Sequence, residues 1–277
     1  FGYLAAVALS VAVMLFGREI NGSKRWLALG PFSFQPSEFA KVALILFLAD
    51  LVTKNVKTIG KMWTLCRIMF WILPIVGLVG ASNLSTAIII LGIGVILIFV
   101  ASPKYAQFAL MGIAGACFMG IFLALESYRL ERLAIWRNPE KYEKGYQTLQ
   151  GLYAIGSGGV FGVGIGNSVQ KLGFVPEAQN DMIFSIICEE LGIFGGLIVL
   201  MLYAYLLYRL FVIAQNAPDM FGSLMVSGIF IHIALQVILN IAVVVNLMPN
   251  TGVTLPFISY GGTSIVFLMA EMGLALS

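Results

Sequence analysis

The run Ile68–Ala101, IMFWILPIVGLVGASNLSTAIIILGIGVILIFVA, carries no Asp, Glu, Lys or Arg. As a single helix it would extend about 50 Å, at roughly 1.5 Å per residue. A bilayer's hydrocarbon core is only about 30 Å thick. Pro74, Gly77, Gly80 and the polar step Ser82-Asn83 interrupt the run. It therefore reads as two membrane helices folded into a tight hairpin, or as one discontinuous pair.

Further apolar segments lie on both sides of this run. With it they make eight, at roughly 1–16, 35–51, 64–81, 84–101, 105–125, 181–208, 220–245 and 263–277. Only 10% of the 277 residues are charged and 60% are hydrophobic, whereas a soluble domain carries about 25% charged residues. Mean hydropathy is +0.97. The expected fold is an all-α polytopic membrane protein with about eight transmembrane helices, forming a single membrane domain over 1–277. Segment 1–16 is short for a span and has no initiator Met or basic leader region. It reads as the remainder of a transmembrane helix rather than a signal peptide.

The net charge of +3 is small and spread over loops, which argues against nucleic acid as a partner. Cys66, Cys117 and Cys188 lie in or beside apolar segments, form no CxxC pair and suggest no disulfide framework. His232 is the only histidine, so no multi-histidine metal site is expected, and it reads as a helix-packing or hydrogen-bonding residue. The cluster GSGGVFGVGIGNS holds six glycines between Gly156 and Gly166. Its spacing misses the dinucleotide fingerprint, so tight turns and close backbone approach explain it better.

Two long connections stand out. Residues 126–180 form a large polar loop in which Tyr146, Leu149, Leu152 and Tyr153 recur at helical spacing, as in a helix lying along the interface. Residues 246–262 are broken by Pro249, Gly252, Pro256, Gly261 and Gly262, as in a re-entrant loop lining a cavity. Counting Lys and Arg in short loops places the opposite side in the cytoplasm and both connections outside; including the long loop reverses the count.

Four polar groupings invite a chemical reading. Asp181 opens DMIFSII, where it or Asn180 can cap a helix; it is equally placed to serve as a general base. Glu38 and Lys41 share a helix face in QPSEFAK, as an internal ion pair or a polar lining. Glu189 and Glu190 point about 100° apart on a helix, so structural pairing with Lys or Arg competes with a cavity role. Asn250, Thr251, Thr254, Ser259 and Tyr260 in the last loop offer uncharged hydrogen bonds.

Together NGSKRW, QPSEFAK, SNLSTA, AIGSGGVFGVGIG, LGFVPEAQNDMIFSIICEELGIFGG and MPNTGVTLPFISYGGTS resemble the SEDS proteins of FtsW, RodA and SpoVE type. They cover nearly the whole chain in order, from within the third to the tenth of the family's usual ten spans. The resemblance implies a peptidoglycan glycosyltransferase that polymerises lipid II, a disaccharide-pentapeptide on undecaprenyl pyrophosphate, outside the bacterial cytoplasmic membrane. Its implied partner is a class B penicillin-binding protein. The family's essential aspartate, in a PE-x-x-x-D setting, maps onto Asp181. Where many members have His-Thr before it, this chain has Gln179-Asn180.

An inverting transfer that expels pyrophosphate needs one base and stabilisation of the leaving charge; unlike a glycosidase, it needs no second carboxyl to protonate a poor leaving group. Asp181 is the expected base. Lys24, Arg25 and Lys41 are expected to stabilise the pyrophosphate, with a divalent cation (Mg or Mn) as a further candidate and no organic cofactor. Glu38 and Glu190, with Asn250, Thr251, Ser259 and Tyr260, are expected in the substrate cavity. The alternative readings are a lipid II flippase or transporter, or a non-catalytic scaffold for the transpeptidase.

Overall fold

The computed structural model describes residues 1–20, 23–29, 32–109, 112 and 134–277. Its elements in order are α1 (Gly2–Phe16), β1 (Arg18–Ile20), β2 (Ser23–Leu29), β3 (Phe32–Phe34), α2 (Pro36–Asn55), α3 (Met62–Ser82) and α4 (Leu84–Ala101). After these come α5 (Tyr146–Gly158), α6 (Ile183–Gln215), α7 (Met220–Val244) and α8 (Gly262–Leu276). The apolar segments read from the sequence are helical over nearly all of their described residues, and most of 105–125 lies outside the described residues. Helices α3, α4, α6 and α7 are each long and apolar enough to cross a membrane. The protein is a polytopic helical membrane protein.

The 34-residue-scale run at 68–101 breaks at one place. Asn83 leaves the helical region at φ −150° and ψ 93°, and its side chain accepts a hydrogen bond from the Thr86 amide at 3.2 Å. This is an N-cap for α4. Pro74 lies inside α3 and does not end it. The stretch around NGSKRW brings an addition to the helical fold: β1, β2 and β3 form a small antiparallel sheet, with Arg18 opposite Trp26 and Leu27 opposite Phe34.

The chain forms two compact units. The first comprises residues 1–107, 207–235 and 261–277. Its core is built on α2, where Leu44, Ile45 and Leu48 are buried with Ile68, Ile72 and Ile75 of α3 and Ile90, Ile93 and Leu97 of α4. Gly228 of α7 permits close helix approach: a Cβ there would come within 2.6 Å of Ile45 and 2.9 Å of Leu97. Small residues serve this purpose where helices meet in lipid.

The second unit comprises residues 108–206 and 236–260. Here α5 packs through its small residues Gly151, Ala154 and Gly158, while Tyr146 and Tyr153 of the expected apolar face are exposed. Helix α6 is broken at Gly192, whose φ of 70° and ψ of −173° suit glycine alone. A Cβ at Gly192 would sit 2.3 Å from the Val160 carbonyl oxygen and 2.5 Å from the Gly162 nitrogen. The glycine-rich segment lies directly against this break. The Val163 amide donates to the Glu189 carbonyl at 3.0 Å, and the Ile193 amide to the Gly159 carbonyl at 2.9 Å.

Candidate functional site

Asp181 lies in the irregular turn that enters α6 at Ile183, and it is buried. Its Oδ1 accepts a hydrogen bond from Gln147 Nε2 at 3.3 Å. Gln147, on the first turn of α5, accepts in turn from Asn250 Nδ2 at 3.0 Å. A chain of amides thus links the carboxylate to the proline- and glycine-broken loop at 246–261. The second anchor is Asn240 of α7. Its Nδ2 donates to the backbone carbonyls of Asp181 and Val253, each at 2.7 Å. One buried side chain therefore ties the Asp181 turn to the last loop.

Further bonds fasten that loop to the same turn. Ser259 Oγ donates to the Asn180 carbonyl and accepts from the Leu255 amide, both at 2.7 Å. The Tyr260 amide donates to the Gln179 carbonyl at 2.8 Å. Gln236 Nε2 reaches the Thr254 carbonyl at 3.0 Å, and the Tyr203 hydroxyl donates to the Pro256 carbonyl. Protein groups thus hold non-helical backbone at this level, as a low-dielectric surrounding requires. Glu177, at φ 55°, supports the turn through its carbonyl, which accepts from the Asn180 amide at 2.9 Å.

Several residues expected from the sequence converge here. Asn250 is linked to Asp181 through Gln147, and Ser259 holds the Asp181 turn through its backbone. Tyr260 contributes an amide, while its side chain is exposed, and Thr251 lies beside Asn250 in the loop. Glu190 is engaged elsewhere in this unit. Its Oε1 meets Lys171 Nζ at 2.6 Å and accepts from the Ser168 amide at 3.4 Å. Glu189 accepts from the Ser168 hydroxyl, and from the Val169 and Gln170 amides at 3.1 and 3.4 Å. Both acids fasten the glycine-rich segment to α6.

The remaining expected residues belong to the first unit. Glu38 and Lys41 form a salt bridge of 2.9 Å, with both side chains buried. Ser264 also hydrogen-bonds Glu38, and His232 lies within electrostatic reach of it. His232 Nδ1 in turn contacts both carboxylate oxygens of Glu271, at 3.0 and 2.9 Å. Arg25 Nε donates to the Ser82 carbonyl at 3.4 Å. Arg25 lines a cavity of about 20 Å³, room for one water, with Ser10, Ser37, Ser82 and Asn83. The side chain of Lys24 lies outside the described residues.

The sequence reading missed Gln147, Asn240 and Glu271. Glu271 carried the same signal as Glu38, an acid within an apolar helix. Gln147 and Asn240 are neutral amides on helices, and only the fold shows that both address Asp181. Among the described residues, no group of three or more His, Cys, Asp and Glu side chains could hold a metal ion.

The family model for FtsW/RodA/SpoVE, described as a cell cycle protein, matches residues 1–277. Stage V sporulation protein E of Bacillus subtilis is 41% identical over 272 residues, covering 94% of this chain and 72% of the relative. A protein named probable peptidoglycan glycosyltransferase FtsW, from Saccharophagus degradans, is 36% identical and covers 98% of this chain and 72% of its own length. Among solved structures, a chain from a peptidoglycan synthase complex that coordinates polymerization and crosslinking superposes with a TM-score of 0.85 at 32% identity. It covers 99% of this chain and 78% of its own. The rod shape determining protein RodA of Thermus thermophilus gives 0.70 at 31% identity, covering 99% and 75%.

Proposed function

We propose, on the premise that the chain belongs to the FtsW/RodA/SpoVE family of cell cycle proteins, that Asp181 is the general base of its reaction. The protein is a glycosyltransferase of peptidoglycan synthesis, polymerising lipid II into glycan strands. The observation supporting the role of Asp181 is its setting. A buried carboxylate receives a 3.3 Å hydrogen bond from the neutral Gln147 amide, and its backbone is clamped by Asn240. A group fixed in this way is aimed by its surroundings, as a general base must be to meet an incoming hydroxyl.

In this reading the 4-hydroxyl of the acceptor GlcNAc gives its proton to Asp181 as its oxygen bonds to C1 of the donor sugar. The bond from C1 to pyrophosphate breaks with inversion, and the electron pair leaves on the phosphate oxygen. Gln147 and Asn250 yield to, or share, the arriving sugar. Lys24, Arg25 and Lys41 are our candidates for stabilising the departing charge, and each is testable by substitution. A divalent cation carried by the pyrophosphate would add to that stabilisation; omitting Mg and Mn, or adding a chelator, tests its need.

We place the protein in the bacterial cytoplasmic membrane with Asp181 facing outward, and we assign it a class B penicillin-binding protein as partner. The similarity to a chain from a complex that couples polymerization to crosslinking supports that partner. The test is polymerisation of purified lipid II, with and without the transpeptidase. Asp181→Asn is expected to lose glycan-chain synthesis while the protein folds and binds its partner. Polymer at the parent's rate from that variant would overturn the assignment. Lipid II movement across vesicles without polymer from the parent protein would instead favour a flippase.

A further inference from the structure

The glycine-rich segment between α5 and α6 leaves large apolar side chains outward. Phe161 is 82% exposed, Ile165 81% and Leu172 75%. Val160, Val163, Val169 and Phe174 are also exposed. From Gly156 to Gln170 the sequence contains no Asp, Glu, Lys or Arg. A loop bathed in water would gain nothing from such a surface. It is too long and too continuous to be the scattered apolar exposure of an ordinary protein surface.

The backbone of the same segment behaves unlike that of a solvated loop. From Gly162 to Leu172 the amides, Ile165 apart, donate to acceptors within the protein. The acceptors include the carbonyls of Glu189 and Glu190, to which Val163 and Gly164 donate at 3.0 Å. They also include the carboxylates of both acids. Lys171, the first charge after the apolar stretch, is neutralised by Glu190 at 2.6 Å. Irregular backbone whose donors are internally satisfied, and whose exposed side chains are apolar, is what a low-dielectric surrounding requires.

That surface is also continuous with an outward face of α6. The segment is bonded to the helix at Glu189, Glu190, Ile193 and Phe194, and Ile193, Phe194, Leu197 and Met201 are themselves exposed. We propose that residues 159–174 are immersed in the bilayer, docked on the first half of α6, with Phe161, Ile165 and Leu172 among the lipid acyl chains. The partner of this surface is lipid. Glu189 and Glu190 make the immersion possible by capping amides that water would otherwise serve.

The test uses the whole protein, without its transpeptidase, in nanodiscs of phosphatidylethanolamine and phosphatidylglycerol. A trace phospholipid carries a diazirine on its acyl chain, and labelled residues are mapped by mass spectrometry after photolysis. Labelling of 160–172 within about threefold of that on Ile193–Met201 is expected, with far less on the polar stretch 139–144. Labelling confined to the helix would overturn the proposal. A second readout places a spin label at Ile165→Cys, with Cys66, Cys117 and Cys188 replaced by Ala. Collision with oxygen should exceed collision with a water-soluble nickel complex; the opposite order would sink the idea even if the photolabel were ambiguous.

Discussion

Asp181 and Glu38 are both buried carboxylates, and each is held in a different way. Glu38 meets the Lys41 ammonium at 2.9 Å, with the Ser264 hydroxyl and the electrostatic influence of His232 added to it. Asp181 meets a neutral amide at 3.3 Å and is held in place through its backbone. A carboxylate matched to a buried cation is committed: moving either partner exposes an uncompensated charge. Asp181 is held from outside its own helix, by Gln147 at the carboxylate and by Asn240 at the backbone, so its aim depends on distant segments. The contrast is between an acid fastened one helical turn from its cation and an acid fastened by residues far away in the chain.

The largest effect should come from removing the Asp181 carboxylate. Asp181→Asn keeps an oxygen that can accept from Gln147 but removes the base. Lipid II polymerisation should fall by about 10²–10⁴-fold, the range for losing a general base. Thermal stability should fall far less, because asparagine keeps an acceptor oxygen for Gln147 and leaves the Asn240 clamp on the backbone intact. Equal losses of rate and stability would erase the distinction drawn between the two acids.

Lys41→Met probes the opposite case. It leaves the Glu38 carboxylate buried beside an apolar side chain, and breaking a buried pair costs about 3–5 kcal/mol. The double variant Glu38→Leu/Lys41→Met should recover most of that loss, because both desolvated charges are gone. Thermal unfolding of the two variants checks this. If the double variant unfolds as readily as the single one, Lys41 does more than neutralise Glu38. A polymerisation defect that persists in a restabilised double variant would point to its candidate role on pyrophosphate.

Asn240→Leu should cost less than the broken ion pair. It deprives the Asp181 and Val253 carbonyls of their 2.7 Å donor, and an unsatisfied buried acceptor costs about 1–3 kcal/mol. The turn that aims Asp181 should loosen with it. The turnover number should therefore fall more than affinity for lipid II, and that split distinguishes positioning from general destabilisation.

Much of this was legible in the sequence because lipid enforces strict rules. Apolar runs such as 84–101 had to be helices, and Asn83 was visible as a polar break. The acids were visible as charges where charge is expensive. What stayed hidden depends on approach between distant segments. The six glycines announced close contact but not its target, which is the Gly192 break in α6, some 30 residues away in the chain by the spacing of Gly162 and Gly192. The sheet at 18–34 escaped notice because its strands are short and lack a clear two-residue alternation. Asp181 stood out in the sequence through its motif, yet the amides of Gln147 and Asn240 that hold it carry no charge. No hydropathy pattern marks them.

The smallest predicted effect is the sharpest test of that amide chain. Asn250 donates to Gln147 at 3.0 Å and accepts from the Gly252 amide at 3.2 Å. Both residues are half-buried, so water can replace what Asn250→Ala removes. The cost should be about 0.5–1.5 kcal/mol, that of an ordinary hydrogen bond. Gln147→Ala instead removes the group that touches the carboxylate. If the chain aims Asp181, polymerisation should fall further for Gln147→Ala than for Asn250→Ala, and the double variant should be no worse than Gln147→Ala alone, since Asn250 would act only through Gln147. Additive losses would show instead that Asn250 meets the sugar directly, making the last loop a binding surface in its own right.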